Sequence, residues 1–272
     1  MPKQNTIEQL SDVAVTKIGF LRSNPLGFFV SSMLAGSYIG FGIALIFTIG
    51  HVADPSWRSL AMGACFGIAL TLVVFAGAEL FTGHVMYMTI GVLQRRIPLR
   101  DLAASWAVTW TGNLAGALVL CVLLVAGGTT VATAGADYLN GVAAGKMNGA
   151  AHALFARAIL CNWLVCLALW MSVRTASDTA KCIVIFWCLL AFIASGFEHS
   201  VANMAIFGIA LLTGPAVSDP LAGMAHNLFW VTLGNIVSGC VFVSFCYWLA
   251  NRRVARCRAP VALVPASERN RI

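Results

Sequence analysis

Long runs of apolar residues, nearly free of charge, recur along this chain and are separated by short polar segments. The runs cover residues 25–50, 60–93, 102–136, 158–173, 182–213 and 221–250. A transmembrane helix needs roughly 20 predominantly apolar residues, a length that most of these runs reach or exceed. The pattern predicts an all-α membrane protein with six transmembrane spans.

The two ends of the chain differ from these runs. Between Ile7 and Phe20, apolar residues recur at helical spacing with charged residues between them, which is typical of a helix lying at a membrane surface. We therefore expect a cytoplasmic N-terminal amphipathic helix over 1–24, a six-span domain over 25–250 and a basic cytoplasmic tail over 251–272.

Composition supports a polytopic membrane protein and excludes an ordinary soluble domain. Hydrophobic residues make up 60% of the chain and charged residues 10%, and mean hydropathy is +0.86. The net charge is +7, and the basic residues gather at alternate span ends: Lys3, Lys17, Arg22, Arg95, Arg96, Arg100, Arg174, Lys181, Arg252, Arg253, Arg256 and Arg258. This bias predicts cytoplasmic N- and C-termini. We read the charge as a topology signal and expect no nucleic-acid partner.

The apolar runs 60–93 and 182–213 are too long for one helix across a bilayer core of ~30 Å. The runs 60–93 and 182–213 each exceed thirty residues, and each contains a glutamate, Glu79 or Glu198, two positions after a glycine. We predict that transmembrane helices 2 and 5 are broken at these points. Both glutamates are interpreted as loop fasteners that accept backbone N–H bonds rather than as transport bases.

The breaks belong to an internal repeat. Glu79 and Glu198 are 119 residues apart, and the Gly-Asn pairs at 112–113 and 234–235 are 122 residues apart. Because each copy holds three spans, the second copy must be inverted, giving a 3+3 inverted repeat over about 25–136 and 150–250. Half-helix N-termini then point their free N–H groups at the bilayer centre, which favours an anion.

Other functions were weighed against anion permeation. An aquaporin should carry two Asn-Pro-Ala boxes, which the sequence lacks, and an ammonium ion would be repelled by Lys146 and by helix N-termini. An intramembrane metalloenzyme needs clustered ligands, whereas the five histidines are scattered. We therefore expect no enzyme, no metal and no cofactor. A structural membrane subunit without transport activity stays open, although it would not explain paired broken helices.

Several motifs carry a family resemblance that runs from Asn24 to about Trp248. They are Gly77–His84, Asn162–Ala168, Ala194–Met204 and Leu233–Asn235. These stretches resemble the formate/nitrite transporter family, and the segments 24–28 and 79–84 are most similar to its nitrite branch. The resemblance implies an aquaporin-like six-helix protomer with its own pore, assembled as a homopentamer in the bacterial inner membrane. Nitrite is then the expected substrate, with formate or hydrosulfide as alternatives.

The resemblance also implies a role for particular side chains. His199, with Thr82 opposite and Asn203 completing the loop motif, would form the central polar site. The remaining implied residues are Phe66 and Phe192 at one constriction, Leu70 and Leu80 in the apolar lining, Lys146 attracting anions, and Asn162 and Asn235 along the pore. Dehydrating an anion at an apolar ring is costly, and His199 could offset that cost by donating a hydrogen bond or a proton. Channel and proton-coupled transport both remain open.

Overall fold

The computed structural model describes residues 6–214 and 217–256, with side chains through Asn251. All regular structure in that part of the chain is helical. The α-helices are α1 (Thr6–Ser23), α2 (Pro25–Val52), α3 (Arg58–Ala76), α4 (Phe81–Leu93), α5 (Leu99–Ala126), α6 (Ala136–Met147), α7 (Ala151–Val173), α8 (Asp178–Ala194), α9 (Ser200–Thr213), α10 (Pro220–Val237) and α11 (Cys246–Arg256). Most of the predicted basic tail lies outside the described residues.

Five segments of the described chain are helical, long and apolar enough to cross a bilayer. They are Pro25–Val52, Arg58–Ala76, Leu99–Ala126, Ala151–Val173 and Pro220–Asn251. Helix α8 has 17 residues, while α4 and α9 are shorter apolar helices of 13 and 14 residues. The long run 60–93 is therefore divided between α3 and α4, and the run 182–213 between α8 and α9.

A glycine stands at the end of the first helix in each divided run. Gly77 closes α3 with φ 71°, and Gly196 follows α8 with φ 69°. This left-handed conformation is strained for residues that carry a Cβ, so glycine is the residue that allows the chain to turn there. After each turn the backbone runs extended into the next helix, at Leu80 before α4 and at His199 before α9.

Helix α1 packs on the bundle through one apolar face and is also held by polar contacts with other segments. Its buried face includes Ile7, Leu10, Ala14 and Ile18. Arg96 donates to Asp12 at 3.0 Å, Arg174 donates to the Thr6 hydroxyl at 3.2 Å, and Lys17 pairs with Glu79. The amphipathic pattern thus faces the protein on its apolar side, and α1 reaches the loop between α3 and α4.

A π-helix over Ser238–Phe245 continues α10 into α11, a feature that the sequence pattern did not predict. It packs against α4, where the Ser244 hydroxyl donates to the Met86 carbonyl at 3.1 Å. The Thr89 hydroxyl and the Cys240 thiol meet at 3.1 Å in the same contact. Because π-turns re-register a helix face, this segment sets which side chains α10 and its continuation direct toward α4 and α7.

Candidate pore site

His199 and Thr82 are in direct contact at the place where the two interrupted helices meet. The His199 Nε2 atom lies 3.1 Å from the Thr82 hydroxyl, and both side chains are buried. The Nδ1 atom of His199 accepts a hydrogen bond from the Ala202 N–H at 3.1 Å, so this histidine is the N-cap of α9. A backbone N–H can only donate, and Nδ1 therefore carries no proton. The proton of the neutral ring is on Nε2, which donates to Thr82.

Two phenylalanines pack on one side of this histidine. The Phe192 ring is stacked on the His199 ring with centroids 6.0 Å apart and an interplanar angle of 14°. Phe66 meets Phe192 edge to face at 5.6 Å. Both phenylalanines are almost completely buried. Together they form an apolar wall beside the His199 ring, whose Nε2 atom is turned toward Thr82.

Two separate cavities approach this pair. The Lys146 cavity has a volume of about 210 Å³, and its lining includes Lys146, Phe192, His199 and Asn203. The Lys17 cavity has a volume of about 360 Å³, and its lining includes Lys17, Leu70, Leu80, Gly83 and His84. No residue lines both cavities. His199 lines the first cavity, and Gly83, the residue after Thr82, lines the second, so the hydrogen-bonded pair adjoins both linings.

Glu198 ties the Lys146 cavity to the α8–α9 loop. Its Oε2 atom accepts from the Lys146 ammonium at 2.8 Å and from the Asn203 amide at 2.7 Å. Asn203 also donates to the Asn227 side chain at 2.8 Å. Glu198 therefore fastens its loop through side-chain donors, whereas the sequence interpretation assigned it backbone N–H donors. Lys146 lies in the last turn of α6 and is largely buried by this ion pair.

Glu79 has the matching set of partners in the other loop. It pairs with Lys17, and it accepts from His84 Nε2 at 2.6 Å, while His84 Nδ1 lies 2.8 Å from the Ser105 hydroxyl. His84 follows Glu79 by five positions, as Asn203 follows Glu198. Sequence reasoning missed Lys17 and Ser105 as members of the site. The repeat offset that relates Glu79 to Glu198 could have found His84.

Asn235 secures the start of α9 rather than lining a cavity. Its Oδ1 atom accepts from the Ser200 N–H at 3.0 Å, and its Nδ2 group donates to the Ala158 carbonyl at 2.9 Å and to the Glu198 carbonyl at 3.2 Å. Its side chain is completely buried and lines neither cavity. The pore-lining position that the resemblance implies for Asn235 stays a prediction.

Asn113 makes the same three contacts in the first half of the chain. Its Oδ1 accepts from the Phe81 N–H at 2.9 Å, and its Nδ2 donates to the carbonyls of Ser32 at 2.7 Å and Glu79 at 2.9 Å. Since the first N–H groups of a helix have no partner within it, each asparagine supplies the acceptor that a buried helix start needs. The sequence showed this residue in the repeat but did not assign it to the site.

Asn162 connects the Thr82 end of the site to Asn235. Its Nδ2 group donates to the Asn235 carbonyl at 2.7 Å and, over a longer distance of 3.4 Å, to the Thr82 carbonyl. Like Asn235, it is completely buried and lines neither cavity. The structure therefore brings His199, Thr82, Asn162 and Asn235 into one connected group, with Leu70 and Leu80 on the Lys17 side.

The model of the family described as Formate/nitrite transporter matches residues 4–249 of this chain. The chain belongs to that family. Among its relatives, the nitrite transporter NirC of Salmonella typhimurium is 51% identical over 234 residues, which cover 86% of this chain and 87% of the relative. The nitrite transporter NirC of Escherichia coli strain K12 is 50% identical over 240 residues, which cover 88% of each chain. Membership of this family and the five long apolar helices make the chain an integral membrane protein.

Solved structures agree with this assignment. A chain described as an FNT family ion channel superposes with a TM-score of 0.86 and 50% identity, covering 90% of this chain and 98% of that one. A pentameric formate channel with formate bound superposes with a TM-score of 0.70 and 30% identity, covering 82% of this chain and 96% of that one. The expected family and its all-α channel fold are thereby confirmed.

Proposed function

We propose that this protein passes small monovalent anions, nitrite first among them, across the bacterial inner membrane through a pore in each protomer. The observation that carries the proposal is the His199–Thr82 pair, which adjoins the linings of two cavities that each contain a lysine. Relatives over most of the chain are named nitrite transporters. Lysines attract anions into both cavities, and the central pair offers the polar contact between them.

The architecture that we propose has six spans in two inverted repeats of three, with spans 2 and 5 formed by α3–α4 and α8–α9. The matching contacts of Asn113 and Asn235, and those of Glu79 and Glu198, support it. In this arrangement residues 25–250 form the channel domain, α1 is the cytoplasmic amphipathic helix and the tail beyond 250 is cytoplasmic. The basic residues at alternate span ends support the orientation.

Anion passage in this site begins with neutral His199. An anion that has lost part of its water shell gains a hydrogen bond from Nε2–H, which turns from the Thr82 hydroxyl to the ion. Charging the ring requires a proton on Nδ1, which would remove the acceptor of the Ala202 N–H and loosen the start of α9. Histidine protonation is therefore coupled to both the anion and the loop, which gives pH- or proton-coupled transport.

The proposed assembly is a homopentamer in the lipid bilayer with five separate pores. The structural relative with formate bound is described as pentameric, which supports the same assembly here. Large apolar side chains stay exposed along α5, including Val119, Val122 and Leu123, and these must face lipid or a neighbouring protomer.

Formate is the second candidate substrate, and hydrosulfide is a further small anion of this kind. A probable formate transporter of Methanothermobacter thermautotrophicus is 40% identical over 246 residues, which cover 82% of this chain and 89% of that relative. The deciding experiment measures the flux of each anion into proteoliposomes under a defined pH gradient. Nitrite flux above that of formate and hydrosulfide supports the proposal. Faster formate flux would assign the formate function, and no flux of any anion would favour a structural subunit.

Reversing the charge of Lys146 tests anion attraction. Lys146→Glu should lower nitrite flux about tenfold at low salt and low nitrite, because the cavity field then repels the anion and a second carboxylate faces Glu198. Most of the deficit should disappear in high salt or saturating nitrite, since both suppress the effect of the field. Lys146→Gln separates loss of charge from its reversal. Wild-type flux of Lys146→Glu at low salt would remove this lysine from the mechanism.

Truncating Phe192 tests the apolar wall. Phe192→Ala should admit larger monocarboxylates such as lactate, because the ring that stacks on His199 is removed. The cavity that it leaves should destabilise the protomer by ~3 kcal/mol or more. Uptake of nitrite and lactate in liposomes measures the selectivity, and Phe229→Ala, at an exposed aromatic, is the matched control. An unchanged lactate-to-nitrite ratio in folded Phe192→Ala would reduce Phe192 to a packing role.

A further inference from the structure

Three buried side-chain oxygens around Asn235 have no hydrogen-bond partner within the described part of the chain. They are Asn162 Oδ1, Ser200 Oγ and Ser238 Oγ. All three residues are anchored to Asn235 through other atoms. The Asn162 amide and the Ser238 N–H donate to its carbonyl, and the Ser200 N–H donates to its side chain. Unpaired oxygens are costly at this depth, and three around one residue call for a common partner.

The orientation of the Asn162 amide is determined by its surroundings. Its Nδ2 group faces the carbonyl oxygens of Asn235 and Thr82, which can only accept hydrogen bonds. Exchanging the nitrogen and oxygen would place Oδ1 against these two acceptors. Oδ1 must therefore point away from them, toward a donor that the protein does not supply.

The first half of the chain has no such polar group at the equivalent place. The offset between Ser32 and Ala158 pairs Gly36 with Asn162. The offset between Asn113 and Asn235 pairs Gly116 with Ser238. There the backbones of α2 and α5 touch: a Cβ on Gly36 would lie 2.0 Å from the Asn113 carbonyl, and one on Gly116 would lie 1.8 Å from the Met33 carbonyl. The second half carries side chains instead of glycines at these positions, on α7 and at the start of the π-helix.

We propose that the place where these three oxygens gather, between α7, α9 and the start of the π-helix, is a buried water-binding site. One water donates to Asn162 Oδ1 and pairs with the Ser238 hydroxyl, and the Ser200 hydroxyl joins the same water or a second one. Buried waters of this kind make two to four hydrogen bonds to polar groups that otherwise have no partner. By holding Asn162 in place, the water supports the carbonyl of Thr82, the residue whose hydroxyl contacts His199. The site does not depend on which anion the pore passes.

The sign of a stability change tests this site. If the hydroxyl of Ser238 binds water, Ser238→Ala should lower the Tm of the purified protein by about 2 °C or more, because the water loses a partner. If the hydroxyl has no partner, alanine relieves its burial and raises helix propensity, so the Tm should rise. Ser200→Ala should behave in the same way. Ser172→Ala is the control, because it removes a buried hydroxyl that already has a partner within the protein, the Ala168 carbonyl. An unchanged or higher Tm for Ser238→Ala overturns the proposal.

A map of the wild-type protein at about 2 Å resolution provides an independent readout. We expect a density peak at hydrogen-bond distance, about 2.7–3.2 Å, from both Asn162 Oδ1 and Ser238 Oγ, and its loss or displacement in Ser238→Ala. A well-ordered map without that peak would overturn the site. A peak at about 2.3–2.6 Å from several oxygens would instead indicate a metal cation and would also reject water.

Discussion

Replacing His199 by asparagine should keep the protein folded, flatten the pH dependence of nitrite flux and abolish net proton co-movement. Asparagine is a favoured N-cap residue, so it can still accept from the Ala202 N–H. It cannot gain a proton, and its shorter side chain loses the Nε2–H donor. A hydrogen bond to an ion contributes ~1.5–3 kcal/mol, so flux should fall roughly tenfold or more. Nitrite-driven proton uptake in liposomes is the measurement.

Two further variants distinguish the loss of the ionisable ring at His199 from a general loss of folding or assembly. His226→Asn makes the same exchange at an exposed histidine whose ring meets the Gly149 carbonyl, and it should transport as wild type does. Glu198→Gln should chiefly lower expression or assembly, because it weakens the contact with Lys146. Native mass spectrometry checks that each variant keeps the proposed pentameric assembly. Proton coupling that survives intact in His199→Asn would contradict a role for the histidine as the proton carrier.

The largest loss of stability is expected from replacing Asn113 or Asn235, the two asparagine clamps that secure the starts of α4 and α9. Asn235→Leu leaves the Ser200 N–H and the Glu198 carbonyl without their partner, and Asn113→Leu does the same to the Phe81 N–H and the Glu79 carbonyl. Each buried unpaired group costs ~1–3 kcal/mol, so each variant should lose about 3 kcal/mol or more. The yield of folded protein and its Tm in detergent measure this loss.

Comparing the two clamp variants also tests the proposed repeat. If the halves are equivalent, Asn113→Leu and Asn235→Leu should be destabilised to a similar extent, because each removes the same three contacts. Asn148→Leu, at an exposed asparagine, should leave the Tm nearly unchanged. A severe loss in one clamp variant beside wild-type stability in the other would mean that the halves do not depend on their clamps equally.

The two loops differ in one way that bears on function. In the second loop the residue before the half-helix is His199, whereas in the first it is Leu80. Likewise His84 occupies in the first network the place that Asn203 has in the second. The second loop therefore points the His199 ring at Thr82, whereas the first loop holds the His84 ring against Glu79. In the proposed repeat, these exchanges make the two halves of the proposed path different.

Much of this organisation could be predicted from the sequence because a bilayer imposes simple demands on it. Apolar runs of the required length indicated the helices, and Gly77 and Gly196 marked where the runs 60–93 and 182–213 are divided. The motif around His199 identified the family, which the family model confirms. The π-helix over Ser238–Phe245 gave no such signal, since its residues are as apolar as those of an ordinary span.

By itself, the sequence determined the all-helical membrane class, the family and the position of both loop glutamates, since length, hydropathy and motifs are local properties of the chain. Only the tertiary structure decided what those side chains bind. Lys17 is 62 positions from Glu79, and Lys146 is 52 positions from Glu198, so neither ion pair follows from local spacing. The clamp contacts of Asn235 depend on helix packing for the same reason. A helical pattern predicts a face, but the hydrogen-bond partner of a buried polar group depends on how the helices pack.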